Sequence, residues 1–411
     1  MVSDKDLLAY DYKNDFPLLA NMDVAYLDNA ATAQRPLCVI EAERDFYLKH
    51  NANPLRGLYQ LAMEATDDYE DARAAVQKFI NAKYFEEIIF TRNTTESLNL
   101  VAYSYALHNL QPGDEIVTTI MEHHSNMLPW RMAAAQTGAV VKYIECAADG
   151  SITDEALTQA ITPRTKIVAM AQVSNVLGRL NPVEKAIELA HKVGAVAVID
   201  AAQSAPHMAI DVQKLDADFL AFSGHKMMGP MGIGVLYGKK NLLDAMPPFM
   251  SGGEMISMVS RDGQEYAPLP HKFEAGTVNA GAAAGLHAAI DYINSIGFDV
   301  IEAREAALTK LTFEGMRQIE GVRIIGAPDV ENHKGIITFT IDGVHPHDIA
   351  AILDADGVNI RAGNHCAQPL LDHLCTGATA RVSLAFYNDE ADVRRLLDSL
   401  KTIRERMGYG R

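Results

Sequence analysis

Cysteine is scarce in this chain: Cys38, Cys146, Cys366 and Cys375 are the four in 411 residues, and no two form a CxxC pair. That spacing speaks against a disulfide framework and against an intrinsic metal site, and leaves a functional cysteine to act as a free thiol. Positive charge is also short, with 36 Lys and Arg against 53 Asp and Glu and a formal net charge of -17. Nucleic-acid binding needs clustered cations, so a nucleic-acid partner is not expected. No window approaches the ~20 apolar residues of a membrane span, and the N-terminus carries Asp4, Asp6, Asp11 and Asp15 where a leader has a basic flank and an apolar core. A cytoplasmic protein without a membrane association is therefore expected. Low-complexity tracts are absent too; hydrophobic residues, 48% of the chain, interleave with 22% charged ones, so there is enough apolar surface to bury. A chain of 411 residues exceeds what one core usually organises, and two domains are expected.

What is present begins with seven short apolar, β-branched runs: Glu87 to Phe90, Ile116 to Ile120, Val140 to Ile144, Ile167 to Ala171, Val196 to Ile199, Phe219 to Phe222 and Ile233 to Tyr237. They read as buried strands. Helical segments separate most of them, the clearest being Pro182 to Val193 with Asn181 as N-cap and Gly194 as its stop. This alternation predicts an α/β fold with a mainly parallel sheet flanked by helices. A stripe of Leu58, Leu61, Ala62, Ala65, Tyr69, Ala72, Val76 and Phe79 predicts a helix packed on that sheet. Beyond about residue 280 the pattern changes to long helices, Ala280 to Ile296 between Asn279 and Gly297 and then Val300 to Ile319. Separated strands follow at Val322 to Ile325, Ile336 to Ile341, Val358 to Arg361 and Arg381 to Ala385. We expect a large α/β domain over 21–285 and a smaller α+β domain made of 1–20 and 286–411.

Ligands of open α/β sheets sit beyond the carboxyl ends of the strands. One run ends in Asp200 with Gln203 close behind, and another in Ser223-Gly224-His225-Lys226. An acid at one strand end and a lysine at another suit a pyridoxal cofactor, with Lys226 carrying it and Asp200 pairing with the ring nitrogen. A third strand end opens a helix at Asn93-Thr94-Thr95-Glu96-Ser97, where free amides suit a phosphate; Ser223 and His225 are placed to complete that cup. The fourth is followed by Glu122-His123-His124, which offers an imidazole for ring stacking and proton transfer. Taken singly each residue has a plainer reading: Asp200, Thr94 and Thr95 as helix caps, Lys226 as a loop lysine, Arg381 as an ordinary ion pair, Cys366 as an inert thiol.

Their joint order decides. Asp200-Ala201-Ala202-Gln203-Ser204, Ser223-Gly224-His225-Lys226 and Arg361-Ala362-Gly363-Asn364-His365-Cys366-Ala367 resemble the Suf-type (group II) cysteine desulfurases, fold-type I pyridoxal-phosphate enzymes of the class-V aminotransferase family. The resemblance runs from Leu27-Asp28-Asn29-Ala30-Ala31 through Phe273-Glu274-Ala275-Gly276-Thr277 to Arg381 and Tyr387-Asn388. It implies pyridoxal 5'-phosphate as cofactor, with His123 stacked on the ring, Asn175 beside it, Gln203 on the phenolic oxygen and Thr95 on the phosphate. Thr277 would reach the phosphate of the other subunit, which implies a homodimer. Arg381 would pair with the carboxylate of L-cysteine, with Arg361 and Arg56 lining the same mouth.

Lys226 would then remove the α-proton and Cys366 would take the sulfur as a persulfide, leaving L-alanine, for delivery to iron-sulfur cluster assembly. Gly343-Val344-His345-Pro346-His347-Asp348 resembles the subgroup that hands sulfur to a zinc-containing U-type acceptor, with His347 exchanging onto the acceptor's zinc; an E-type acceptor is the alternative. Plainly read, His345 to His347 only open the helix Ile349 to Ala355. Asn364, Val278 and Ala33 stand where a histidine, a proline and a threonine are common in the family. Competing functions are a selenocysteine lyase, another pyridoxal enzyme such as an aminotransferase or kynureninase-like hydrolase, and a catalytically idle binding protein that keeps the fold.

Overall fold

All seven apolar runs enter one sheet: Ile88–Thr91 (β1), Glu115–Thr119 (β2), Val140–Ile144 (β3), Thr165–Ala171 (β4), Val196–Asp200 (β5), Phe219–Ser223 (β6) and Gly234–Gly238 (β7). Their order is β1-β7-β6-β5-β4-β2-β3. Strands β2 to β6 pair in parallel, whereas β7 runs antiparallel to both its neighbours. Strands β5 and β6 are buried along their whole length, which is why they read as unbroken apolar runs and not as alternation. The computed structural model describes residues 8 and 10–409. Residues 1–7 and 9 of the expected 1–20 segment, Asp4 and Asp6 among them, and residues 410–411 lie outside the described residues.

A second sheet holds Val322–Ile324 (β8), Ile336–Ile341 (β9), Arg361–Gly363 (β10) and Thr379–Ser383 (β11) in the antiparallel order β8-β9-β11-β10. The run expected as one strand, Val358 to Arg361, divides at Ile360. Val358–Asn359 pairs in parallel with Ala25–Tyr26, and Arg361 turns onto β11. The short Ala25–Tyr26 strand and an exposed hairpin, Ile256–Val259 with Gln264–Tyr266, are not among the expected strands; they are only two to four residues long, too short for a period to show. Residues near the N-terminus dock by burial of Phe16 against the Tyr387 ring and by Lys13, whose Nζ lies 2.8 Å from Asp389 and 2.7 Å from Asp392.

The helix Ala280–Ile296 has the expected ends: Asn279 accepts from the Ala282 N–H at 3.2 Å, and Gly297 takes φ +84. The helix after β4 spans Val183–Lys192, and Asn181 is not its cap. Its amide instead donates to the Ala171 carbonyl at 2.8 Å, closing the end of β4, and Pro182 occupies the cap position without a side-chain bond. The stripe helix is Gln60–Phe79, and its buried face begins at Ala62: Leu58 is 94% exposed and Leu61 38%, contrary to the expected stripe. Chain geometry explains this, because Leu58 precedes the helix and its side chain is outside the helical period. Inside that helix Arg73, wholly buried, forms a bidentate pair with Glu274 at 2.8 Å on each nitrogen. Glu274 also accepts from Tyr69 Oη and the Phe90 N–H, tying the helix, β1 and the segment before Thr277 together. No helix among the described residues is long and apolar enough to cross a membrane.

Candidate active site

The carboxyl ends of β4, β5 and β6 and the loop after β2 open into a cavity of about 260 Å³. This is where a doubly wound sheet places its ligand. Lys226, at the end of the turn Gly224–Lys226 that follows β6, and Asp200, the last residue of β5, both line it, as do Gln203 and Asn175. Gln203 is fixed by donating to the Ala30 carbonyl at 2.8 Å.

One end of the cavity is a cradle of hydroxyls and amides. The Thr94 and Ser223 hydroxyls meet at 2.7 Å, the Thr94 N–H donates to Ser223 Oγ at 2.9 Å, and Thr95 Oγ1 meets Ser125 Oγ at 2.7 Å. Asn93 caps the helix that starts at Thr94 and can lie against β7 because residue 234 is glycine; a Cβ there would stand 2.5 Å from the Asn93 Cα. His225 also lines the cavity, with Nδ1 3.2 Å from the Thr32 hydroxyl, and burial lowers its pKa to about 4.

Burial governs the charged pair. It drives Lys226 down to about 8 although Asp200 pulls the other way, and it drives the Asp200 carboxyl up although the Ala202 N–H and Lys226 oppose it. Desolvation thus exceeds their mutual attraction, and the lysine has an appreciable neutral amine fraction near neutral pH.

His123 is neutral, its pKa lowered to about 3 by burial and then by Lys226. Its Nδ1 faces the Ser125 backbone N–H at 3.1 Å. A backbone N–H can only donate, so Nδ1 is the acceptor and the ring proton sits on Nε2. The preceding residue holds this loop in place. Glu122, fully buried, accepts from the Thr119 hydroxyl at 2.7 Å, the Asn126 amide at 2.6 Å and the Ala171 N–H at 2.9 Å. Burial raises its carboxyl to about 8.

Cys366 is exposed at the mouth, on a loop whose residues His365 and Cys366 take φ +50 and +55. Left-handed backbone at two non-glycine positions is strained and must be held. The holders are Asn175, whose amide donates to the His365 carbonyl at 2.8 Å, and the His124 N–H, which donates to the Cys366 carbonyl at 2.7 Å. Cys366 is thereby fixed to the same loops that carry Asn175 and His123. Asn364 is exposed; the imidazole next to the thiol is His365, bonded through Nε2 to Thr379 at 2.9 Å and neutral, with its pKa lowered to about 3 by burial. Arg381 and Arg361 line the same cavity. Arg381 donates to the Asn175 carbonyl at 2.8 Å, and burial lowers its pKa to about 10.

Three expected residues lie elsewhere. Arg56 does not line this cavity as expected; its half-exposed guanidinium is drawn off by Glu254, 2.7 Å away. Thr277 is exposed on its loop and does not line the cavity of its own chain. His347 is exposed at the start of the helix Pro346–Ala355, its N–H bonded to His345 Nδ1 at 3.2 Å. The sequence reading missed Ser125 and His365, although each sits within two residues of a residue it chose. It also quoted Asp28 without assigning it a role. Of the other thiols, Cys146 is buried with its pKa raised to about 11, while Cys38 and Cys375 are exposed.

A seven-stranded sheet of this order, with a lysine and an acid at adjacent strand ends and a hydroxyl cradle beside them, defines the scaffold of a fold-type I pyridoxal-phosphate enzyme. The aminotransferase class-V family model matches residues 25–396. Curated relatives named probable cysteine desulfurase include one from Halalkalibacterium halodurans, 49% identical over 98% of this chain and 99% of that protein, and one from Staphylococcus aureus, 49% identical over 96% of each. Among solved structures, the cysteine desulfurase CsdA (S-sulfonic acid) of Escherichia coli superposes with a TM-score of 0.90 at 40% identity, covering 98% of this chain and 99% of that one. The apo cysteine desulfurase of Thermococcus onnurineus NA1 superposes with a TM-score of 0.92 at 43% identity and the same coverage. The chain belongs to the class-V aminotransferase family and, within it, to the cysteine desulfurases, whose cofactor is pyridoxal 5'-phosphate.

The residues present fit that cofactor. A buried carboxyl held above its usual range wants a cationic partner such as a protonated ring nitrogen, and the hydroxyl cradle offers donors of the kind a phosphate takes.

Proposed function

We propose that this cysteine desulfurase is of the Suf type, with Lys226 as the cofactor lysine and Cys366 as the sulfur carrier that supplies iron-sulfur cluster assembly in the cytoplasm. One observation carries the reading: Lys226 and Cys366 face one cavity together with two arginines, Arg361 and Arg381. An aminotransferase needs the lysine and the carboxylate receptor, but not a thiol fixed at the mouth by two bonds to its backbone.

Bound pyridoxal 5'-phosphate supplies an electron-withdrawing ring that stabilises negative charge on the substrate carbons. Asp200 keeps the ring nitrogen protonated. Thr94, Thr95, Ser223 and His225 hold the phosphate, and Gln203 holds the phenolic oxygen. Arg381 and Arg361 bind the carboxylate of L-cysteine. Lys226 Nζ, uncharged in part near neutral pH, removes the α-proton. His123 would lie against the ring, with its Nε2 proton available there. Cys366 Sγ, as thiolate, then bonds to the substrate sulfur; the carbon–sulfur bond breaks with its electron pair left on carbon, which is protonated as alanine departs. The persulfide on Cys366 stands at an exposed mouth, open to an acceptor.

We also propose a homodimer in which Thr277 completes the partner's phosphate cradle. Its exposed position supports this, as does the run of exposed apolar side chains Leu37, Ile40, Tyr47, Leu48 and Leu58. The division into 21–285 and 1–20 with 286–411 belongs to the same reading, and so does a zinc-containing U-type acceptor that meets the exposed His347, with an E-type acceptor as the alternative. The activity is tested by incubating holoenzyme with L-cysteine and a thiol reductant and measuring alanine and sulfide together. Equal yields are expected; a keto acid in place of alanine would point to transamination.

A further inference from the structure

Two arginines stand directly opposite each other in the cavity wall. Arg361 on β10 and Arg381 on β11 are antiparallel cross-strand partners, a placement that repels like charges. Arg381 is also almost completely buried, its side chain 3% exposed. Such a pair persists only if something neutralises part of it. Asp28 does so, with Oδ1 3.1 Å from Arg381 Nη2 and 3.3 Å from Arg361 Nε, and Oδ2 again 3.3 Å from Arg361 Nε. Asp28 is not itself in the cavity lining, whereas both arginines are. Its carboxylate therefore acts from behind them.

The geometry leaves a defined space. Arg381 presents Nε and Nη2 as one fork; Nη2 is engaged by Asp28, and Nε is a buried donor with no partner. One carboxylate between two guanidiniums leaves a net single positive charge in the cavity wall. We infer that Asp28 sets the charge specificity of the substrate site: it reduces a doubly cationic receptor to one matched to a single carboxylate, so that an amino acid with one carboxylate is favoured over dianions. This rests on the assignment of Arg361 and Arg381 to the substrate carboxylate.

The test compares two three-carbon anions, propionate and malonate, as competitive inhibitors of holoenzyme turning over L-cysteine at about pH 8, where malonate is a dianion. The bound cofactor fills the phosphate cradle, so neither probe is diverted there. In Asp28→Asn the preference for malonate over propionate should rise by about tenfold, discounted for solvent screening from what a unit charge about 6 Å away gives at an effective dielectric constant of about 20. Asp28→Glu, which keeps the charge, should keep the wild-type ratio. A purely structural role would weaken both inhibitors alike and leave the ratio unmoved, and that result overturns the inference. Should Asp28→Asn fail to fold, Asp28→Ser reads the same ratio. Arg381→Met must weaken both inhibitors; if it weakens neither, the carboxylate assignment itself fails, and the role of Asp28 falls with it.

Discussion

Substituting Asp200→Asn removes the strongest negative charge that holds a proton on Lys226, so the lysine should titrate lower than it already does. In the native chain burial lowers Lys226 to about 8 against the pull of Asp200. An ordinary lysine, at about 10.4, is uncharged in roughly one molecule in 2,500 at pH 7. At about 8 the uncharged share is about one in eleven, a gain of about 200-fold in the amine that can take up cofactor and accept a proton. An opposite charge at close range is worth ~1 to 3 pKa units, so the variant midpoint should fall to between about 5 and 7. Competitive acetylation of the apoenzyme across pH, followed by peptide mass spectrometry, reads this directly. A wild-type midpoint near the ordinary lysine value of about 10.4 would refute the reasoning that burial outweighs the ion pair, and a variant midpoint at or above the wild-type one would refute the role given to Asp200.

Glu274→Gln removes the buried anion of Arg73 and leaves it only the part-exposed Glu70, 2.8 Å from its Nε; it should cost about 3 to 5 kcal/mol in urea unfolding, and a loss below about 1 kcal/mol would contradict the strut it is taken to form. Burial alone would raise the Glu274 carboxyl, but Arg73 holds it at about 2, so its contribution is present above the unfolded value of ~4.3 and fades as pH falls toward 2. His365 has the same sign for a different reason. Burial lowers it to about 3, so stability is full above the unfolded value of ~6.5 and is lost as the pH drops. His365→Gln should therefore flatten the dependence of stability on pH by about 1.4 kcal/mol per unit between pH 6 and 4, and parallel curves for variant and wild type would count against a neutral buried imidazole. His347→Ala should leave turnover with small thiols within about twofold while removing stimulation by a zinc-containing acceptor; equal stimulation of both forms would favour an E-type acceptor.

The sequence reading succeeded where local chemistry and topology point the same way. Asp200 and Lys226 follow apolar strands, and a doubly wound sheet gathers such residues at one end, where both line the cavity. Asn279 and Gly297 bracket their helix because capping is a local matter. It failed where distant partners decide. Asn181 has the right residue type for a cap, yet the Ala171 carbonyl claims its amide. Arg56 has the right charge for the cavity mouth, yet Glu254 holds it elsewhere. The split at Ile360 depends on Ala25–Tyr26, more than 300 residues away in the chain, as the pairing partner of Val358–Asn359. Asp28 was visible within a quoted motif, but its role depends on two arginines that only the pairing of β10 with β11 brings together.

The central claim is that sulfur leaves L-cysteine onto Cys366 in the cavity that Lys226 shares. The most direct measurement is a single turnover of holoenzyme with L-cysteine and no reductant, followed by peptide mass spectrometry of all four cysteines and quantification of alanine. One added sulfur atom on the Cys366 peptide, matched by one alanine per active site and absent from Cys38, Cys146 and Cys375, is the expected result. Alanine formed in the same amount by Cys366→Ala, or the added sulfur found on another cysteine, would contradict it.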